Sequence, residues 1–168
     1  MSTRQIRKFK SSDSKVVSDI MLRAFRSFLG DKMCRHIERS FSPHVLARVS
    51  NVRNHDRLVI SYVAEDKGKV IGYIRGSASV CGLGTLEVIG IDQDSVHHGV
   101  GTLLMGALEK FWTQTKMRKA STCVSAHNTR AFMFYIKNGF IPEGIFRDHY
   151  IDGVDEIMLA KRLLSAEK

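Results

Sequence analysis

The spacing of apolar positions divides the chain into alternating helical and extended stretches. A weak alternation predicts a short strand over 5–9. Ser12 or Asp13 then caps a helix with an apolar stripe of Val16, Val17, Ile20, Met21, Ala24, Phe25, Phe28 and Leu29, and Gly30 is its stop. Met33, Cys34, Ile37 and Phe41 continue at helical spacing. Ser42 and Pro43 mark the cap and first residue of a further helix through Val45, Leu46 and Val49.

The period then changes to two. Runs over 58–64 and 70–78 read as strands joined by a tight turn at Asp66, Lys67, Gly68 and Lys69, and a third strand over 84–91 completes an antiparallel meander. From Gly101 the helical period returns through Leu103, Leu104, Ala107, Leu108, Phe111 and Trp112, ending near Lys116. A strand over 120–126, a helix over 129–138 between Asn128 and Gly139, and an antiparallel pair over 140–150 and 154–163 turning at Asp152 and Gly153 finish the chain. This order predicts an α/β (α+β) fold: a mixed, mostly antiparallel sheet of about six to seven strands with helices on both faces.

At 168 residues without repeats or linkers, the chain is expected to form one domain over 1–168. No secretory signal or membrane span is visible, so the expected location is the cytoplasm, with no membrane partner. Cys34, Cys81 and Cys123 are an odd number without metal-ligand spacing; reduced thiols and no metal site are expected. The excess of 26 Lys and Arg over 17 Asp and Glu, a formal +9, favours anionic partners. The basic residues are scattered rather than interleaved with aromatics, which points away from nucleic acid and toward a solvated basic face, with phosphorylated cosubstrates among the anions it could attract.

The segment from Ile89 to Thr102 carries the chemistry: a strand runs through a polar loop, His97, His98, Gly99, Val100 and Gly101, into a helix. Glycine lets the backbone turn and approach a ligand, and the free amides of a helix start favour a phosphate. Neither a P-loop nor a dinucleotide-binding glycine pattern is present.

This loop, followed by Asn128, Ala131, Phe134, Tyr135, Gly139 and Phe140 at their spacing, resembles the GNAT family of N-acetyltransferases over residues 58 to about 163. Val96 stands where the family usually has Arg or Gln, and His97 where Gly is frequent. The resemblance implies acetyl-coenzyme A as cosubstrate and direct attack of a primary amine, from a small molecule or a peptide, on its thioester. Ile89, Gly90 and Ile91 would border the pantetheine arm, the amides of His97, His98, Gly99, Val100, Gly101 and Thr102 would take the pyrophosphate, and Asn128, Phe134 and Tyr135 would complete cofactor binding. Tyr135 would be the acid that protonates the leaving thiolate. In relatives that acetylate ribosomal proteins a Glu precedes the Asn of the second block; the corresponding position here is Cys123.

Glu87, two residues before Ile89 on the same side of its strand, is the candidate to relay a proton from the amine through water. Arg147, Asp148, His149, Tyr150 and Asp152 of the terminal hairpin are candidates to grip the acceptor. A non-catalytic acyl-coenzyme A-binding module and, less favoured, a basic nucleic-acid-binding domain are the rival readings; a homodimer stays open.

Overall fold

The computed structural model describes residues 4–163 other than Cys34 and His97. Its elements are β1 (Gln5–Lys8), α1 (Ser14–Leu29), α2 (Arg35–Ser40), α3 (Pro43–Val49), β2 (Arg57–Asp66), β3 (Lys69–Ser79), β4 (Leu83–Ile91), α4 (Val100–Gln114), β5 (Lys119–Ser125), α5 (Thr129–Lys137), β6 (Ile141–Ile151) and β7 (Val154–Arg162). The expected elements all occur, with ends shifted by one or two residues. Cys34, expected within a helical stretch, lies outside the described residues.

The seven strands form one sheet in the order β1-β2-β3-β4-β5-β7-β6. Every neighbouring pair is antiparallel except β4 and β5, which the α4 crossover makes parallel. The β2–β3 turn places Lys67 at φ 50° and Gly68 at φ 79°, a conformation that explains the glycine there.

Two apolar clusters cover the two faces. On one side, α4 lays Val100, Leu104, Leu108 and Trp112 on the sheet, and α5 adds Tyr135. On the other, α1, α2 and α3 bury Val17, Ile20, Met21, Ile37 and Leu46 against Val63, Tyr73 and Val88. The far end of α4 is anchored tightly: Trp112 Nε1 donates to the Ser77 carbonyl at 2.9 Å, and a Cβ on Gly84 would lie 2.6 Å from that indole nitrogen.

One expected cap is replaced. Asp13 precedes α1 but makes no side-chain cap bond to it. Its carboxylate accepts from the Lys10 amide at 2.8 Å and from both terminal nitrogens of Arg7, at 2.8 and 3.0 Å. Two charge-assisted bonds outcompete one capping bond, and the result ties β1 to the start of α1.

Candidate active site

The site begins where the sheet comes apart. β4 and β5 pair only through Leu83 with Lys119, Gly84 with Ala120 and Thr85 with Ser121. Just beyond, the β3–β4 register shifts so that Arg75 faces Val88 while Gly76 faces Leu86, leaving Glu87 as an inserted residue. Such a bulge bends its strand and increases its twist. β4 therefore leaves β5, and a cleft of about 1340 Å³ opens between them, running from the start of α4 to the space under α1 and α2. At the fork Thr122 Oγ1 donates to the Leu86 carbonyl at 3.0 Å, capping one group that the separation frees.

At one end the cleft meets the β4–α4 loop. Buried Asp92 holds the loop by pairing with Arg23 at 2.9 Å and Lys69 at 3.6 Å, while its amide donates to the Ile71 carbonyl at 2.9 Å. Gly99 turns the chain at φ 75°, a left-handed conformation that other residues adopt at a cost. The Leu103 amide returns to the Gly99 carbonyl at 3.1 Å, so the amides of Val100, Gly101 and Thr102 precede this bond at the positive end of the helix. A Cβ on Gly101 would stand 3.0 Å from both Ile91 Cδ1 and Phe134 Cε2. The glycine keeps this wall flat, and Ile89, Ile91, Gly99, Gly101, Thr102 and Phe134 line the same continuous cleft. These residues fit a long phosphorylated thioester: free amides for the anion, then an open strand edge for an amide-bearing arm. Of the loop residues expected to bind, His97 lies outside the described residues, and His98 gives its carbonyl to Arg4 Nη1 at 2.6 Å.

Asn128 lines the cleft, but its Oδ1 accepts from the Ala131 amide at 3.1 Å and caps α5. That leaves its amide nitrogen as the group to face a ligand.

The middle of the cleft gathers Tyr135, Thr122, Cys123 and Glu156. Tyr135 is buried between Phe134 and Phe140, with ring centroids 5.6 and 5.9 Å away. Burial pushes its phenol up to about 12; Thr122 pulls it down, and nearby Glu156 and Cys123 reinforce the rise. The phenol therefore stays protonated throughout the neutral range. Burial likewise pushes the Glu156 carboxyl up to about 7. Among the described residues no cation pairs with it. The β5–β7 register puts Glu156 opposite Ser125.

Glu156 was not among the residues expected from the sequence. The available signal was alternation: Val154, Glu156, Met158 and Ala160 form one row of β7, and a carboxylate in an otherwise apolar row is set to face a core or a cleft.

Glu87 does line the cleft, but the bulge overturns the expected alternation: with Leu86, Ile89 and Ile91 packed toward α4, Glu87 lies with Arg75 and Val88 on the face covered by α1, α2 and α3. Its Oε2 accepts from Arg75 Nε at 2.7 Å and its Oε1 is ion-paired with Arg57 Nη2. Both oxygens thus hold guanidinium groups. The rest of this half is aromatic: Phe25 packs on Phe28 and Phe41 with centroids 5.2 and 4.7 Å apart, and in the same cleft Phe146 stacks on His149, whose ring meets Tyr150 edge to face. Of the hairpin residues expected to grip an acceptor, His149 and Tyr150 line the cleft. Arg147 instead pairs with Asp155 at 2.6 Å, and Asp148 Oδ1 accepts from the Gly153 amide at 2.6 Å.

A sheet forked beside a glycine-bearing helix start, with a tyrosine and a carboxyl lining the cleft, is the setting of an acyl-group transferase, and the comparisons with known proteins agree. Residues 21–140 match the Acetyltransferase (GNAT) family, and the chain belongs to that family of enzymes. Over 163 residues it is 28% identical to an uncharacterized N-acetyltransferase of Methanocaldococcus jannaschii, covering 96% of this chain and 94% of the relative. Its fold is that of the PaiA N-acetyltransferase of Thermoplasma acidophilum, solved with coenzyme A, at TM-score 0.78 and 21% identity over 95% and 99% of the two chains. The ribosomal-protein-S18-alanine N-acetyltransferase of Escherichia coli superposes at TM-score 0.76 with 20% identity, over 99% and 98%. Among the described residues no helix is long and apolar enough to cross a membrane, and no group of His, Cys, Asp and Glu has metal-binding geometry.

Proposed function

We propose that the protein moves the acetyl group of acetyl-coenzyme A onto a primary amine by direct attack, with Glu156 as base and Tyr135 as acid. The observation that carries this reading is the meeting of these two groups at the fork, where burial separates their proton affinities. Acetyl-coenzyme A supplies an activated acyl thioester; the amides of Val100, Gly101 and Thr102 hold its pyrophosphate, and Ile89, Gly90 and Ile91 border its arm. Solved N-acetyltransferases of the same fold support this placement, one of them in complex with coenzyme A.

The acceptor arrives as an ammonium. Glu156, ionised above about pH 7, takes one proton and leaves a neutral amine beside the carbonyl carbon. As the new C–N bond forms and the C–S bond breaks, Tyr135 gives its proton to the departing sulfur; the acylated nitrogen then loses one of its two protons, which returns through water to Tyr135, and Glu156 releases its own proton to solvent. Cys123 has no part in direct transfer; burial pushes its thiol up, so it is a poor nucleophile. Glu87 serves better as the anchor of Arg57 and Arg75 than as the relay that its strand position suggested.

The two described cysteines are free, which supports a reducing, cytoplasmic setting. A homodimer through β6 is the quaternary reading: this edge strand exposes Ile141 and Ile145 at 62% and 58%, a template for a second copy. Sedimentation equilibrium checks it.

The deciding experiment on the reaction titrates the protein calorimetrically with acetyl-coenzyme A and then follows thiol release with a panel of amines. Stoichiometric binding and amine-dependent thiol release are expected; absence of binding overturns the reading.

A further inference from the structure

We infer that the acceptor amine also carries an anionic group, a carboxylate or phosphate, which Arg75 receives across the cleft from Glu156, at least about 10 Å away. This deepens the transfer reading and rests on it.

Arg75 stands on β3 in the row that includes Tyr73, and so on the face covered by α1, α2 and α3. Its Nε is satisfied by Glu87, but its Nη1 is buried and meets no hydrogen-bond partner among the described residues. Buried polar atoms are nearly always paired, and a guanidinium nitrogen more so than most. Glu87 cannot supply the missing acceptor, because its other oxygen is held by Arg57, whose Nε donates to Ser77 Oγ at 2.9 Å. Two guanidinium groups thus share one carboxylate, and one positive charge is left over. The planar fork of arginine matches a carboxylate or a phosphate.

All three side chains line the main cleft, and they also line a smaller hollow of about 370 Å³ beside α3, so a ligand group has room beside the guanidinium, which turns to bring its covered Nη1 to the ligand. The pyrophosphate of the cosubstrate is not a candidate for this position, because its amides lie at the start of α4, beyond Ile91.

The second fixed point is Glu156. Arg75 reaches β4 at Glu87, β5 lies next across the open cleft, and β7 carries Glu156; two paired spacings of about 4.8 Å make about 10 Å the least separation. A free α-amino acid, whose charges share one carbon, is too short. A straight ω-amino acid of about eight carbons or more, or a peptide amine with an acidic side chain at its third residue or beyond, reaches that far at 3.3–3.6 Å per residue. The aromatic walls of Phe25 and Phe41 face the apolar body between the charges.

The test compares kcat/KM by thiol release for ω-aminooctanoate against octylamine, and for Ala-Ala-Asp-amide against Ala-Ala-Asn-amide. The anionic member of at least one pair is expected to win by about tenfold or more, the pair showing whether the body is an alkyl chain or a peptide. The preference is expected to fall toward one in Arg75→Met and to persist in Arg75→Lys. Octanoate is expected to compete with octylamine on the unaltered protein, a readout that stands even where Arg75→Met does not fold. Equal use of charged and neutral partners in both pairs, or an equal loss for both in Arg75→Met, overturns the inference while leaving amine transfer intact. Failure to bind acetyl-coenzyme A overturns the transfer reading, and this inference falls with it.

Discussion

The Thr122 hydroxyl reaches across the fork and donates to the Leu86 carbonyl at 3.0 Å, one residue beyond the last β4–β5 pair. One side chain thus takes over where the ladder ends, and the same hydroxyl lies near Tyr135. Thr122→Val keeps the shape and deletes the donor. It is expected to cost about 1 kcal/mol in urea unfolding and to lower kcat several-fold. A loss of stability with full activity would show that the bond holds only the fork.

Tyr135→Phe retains the packing against Phe134 and Phe140, so the melting temperature is expected to move little. With the proton donor gone, kcat is expected to fall by about two orders of magnitude, while calorimetric affinity for acetyl-coenzyme A stays within a few-fold. A variant with unchanged kcat would assign the proton to another group.

Glu156 links activity and stability to pH in opposite directions. As a base it must be ionised, so kcat/KM is expected to rise through about pH 7, and Glu156→Gln is expected to lose this limb. For stability, a carboxyl raised from 4.5 to about 7 favours the fold in its protonated form. That contribution is complete below pH 4.5 and is lost as pH climbs through 7. At pH 8 to 9, Glu156→Gln should therefore be the more stable protein, by about 2 kcal/mol: roughly 1.36 kcal/mol per pH unit, trimmed because the carboxyl opens onto a wet cleft. Denaturant unfolding at two pH values checks the sign.

Gly101→Ala probes the anion end. The new Cβ would sit 3.0 Å from Ile91 Cδ1 and Phe134 Cε2, and both would have to shift by a few tenths of an ångström. The helix itself tolerates alanine, so the expected outcome is near-normal stability with affinity for acetyl-coenzyme A weakened about tenfold. Calorimetry on the folded variant separates the two.

The order of strands and helices was legible because each period continued for several turns, and the paired loop and helix blocks located Gly99, Gly101, Phe134 and Tyr135. The acceptor half was harder to read. Simple alternation put Glu87 on the side of Ile89, but the bulge turns it to the other face, and the two arginines that hold it come from β2 and β3, 30 and 12 residues away. Glu156 follows Asp155 in a hairpin whose polar residues resemble a solvated surface; only the β5–β7 register turns it into the cleft. Asn128 caps α5 with its oxygen, and its local sequence could not separate that role from a cofactor contact, because its nitrogen stays free for one. Long-range register and the bulge at Glu87, neither of them local properties, account for what the sequence pattern left open.

The early end of the β4–β5 ladder gives this sheet a second pair of edges, placed inside the molecule instead of at its rim. Outer edges attract stray chains; these are walled by α4, α5 and the aromatic rings, so only a slender partner can reach them. A cosubstrate that bridges them finishes the protein's own architecture. Heat resistance should then climb with the logarithm of acetyl-coenzyme A concentration, making the fold itself a gauge of cosubstrate supply.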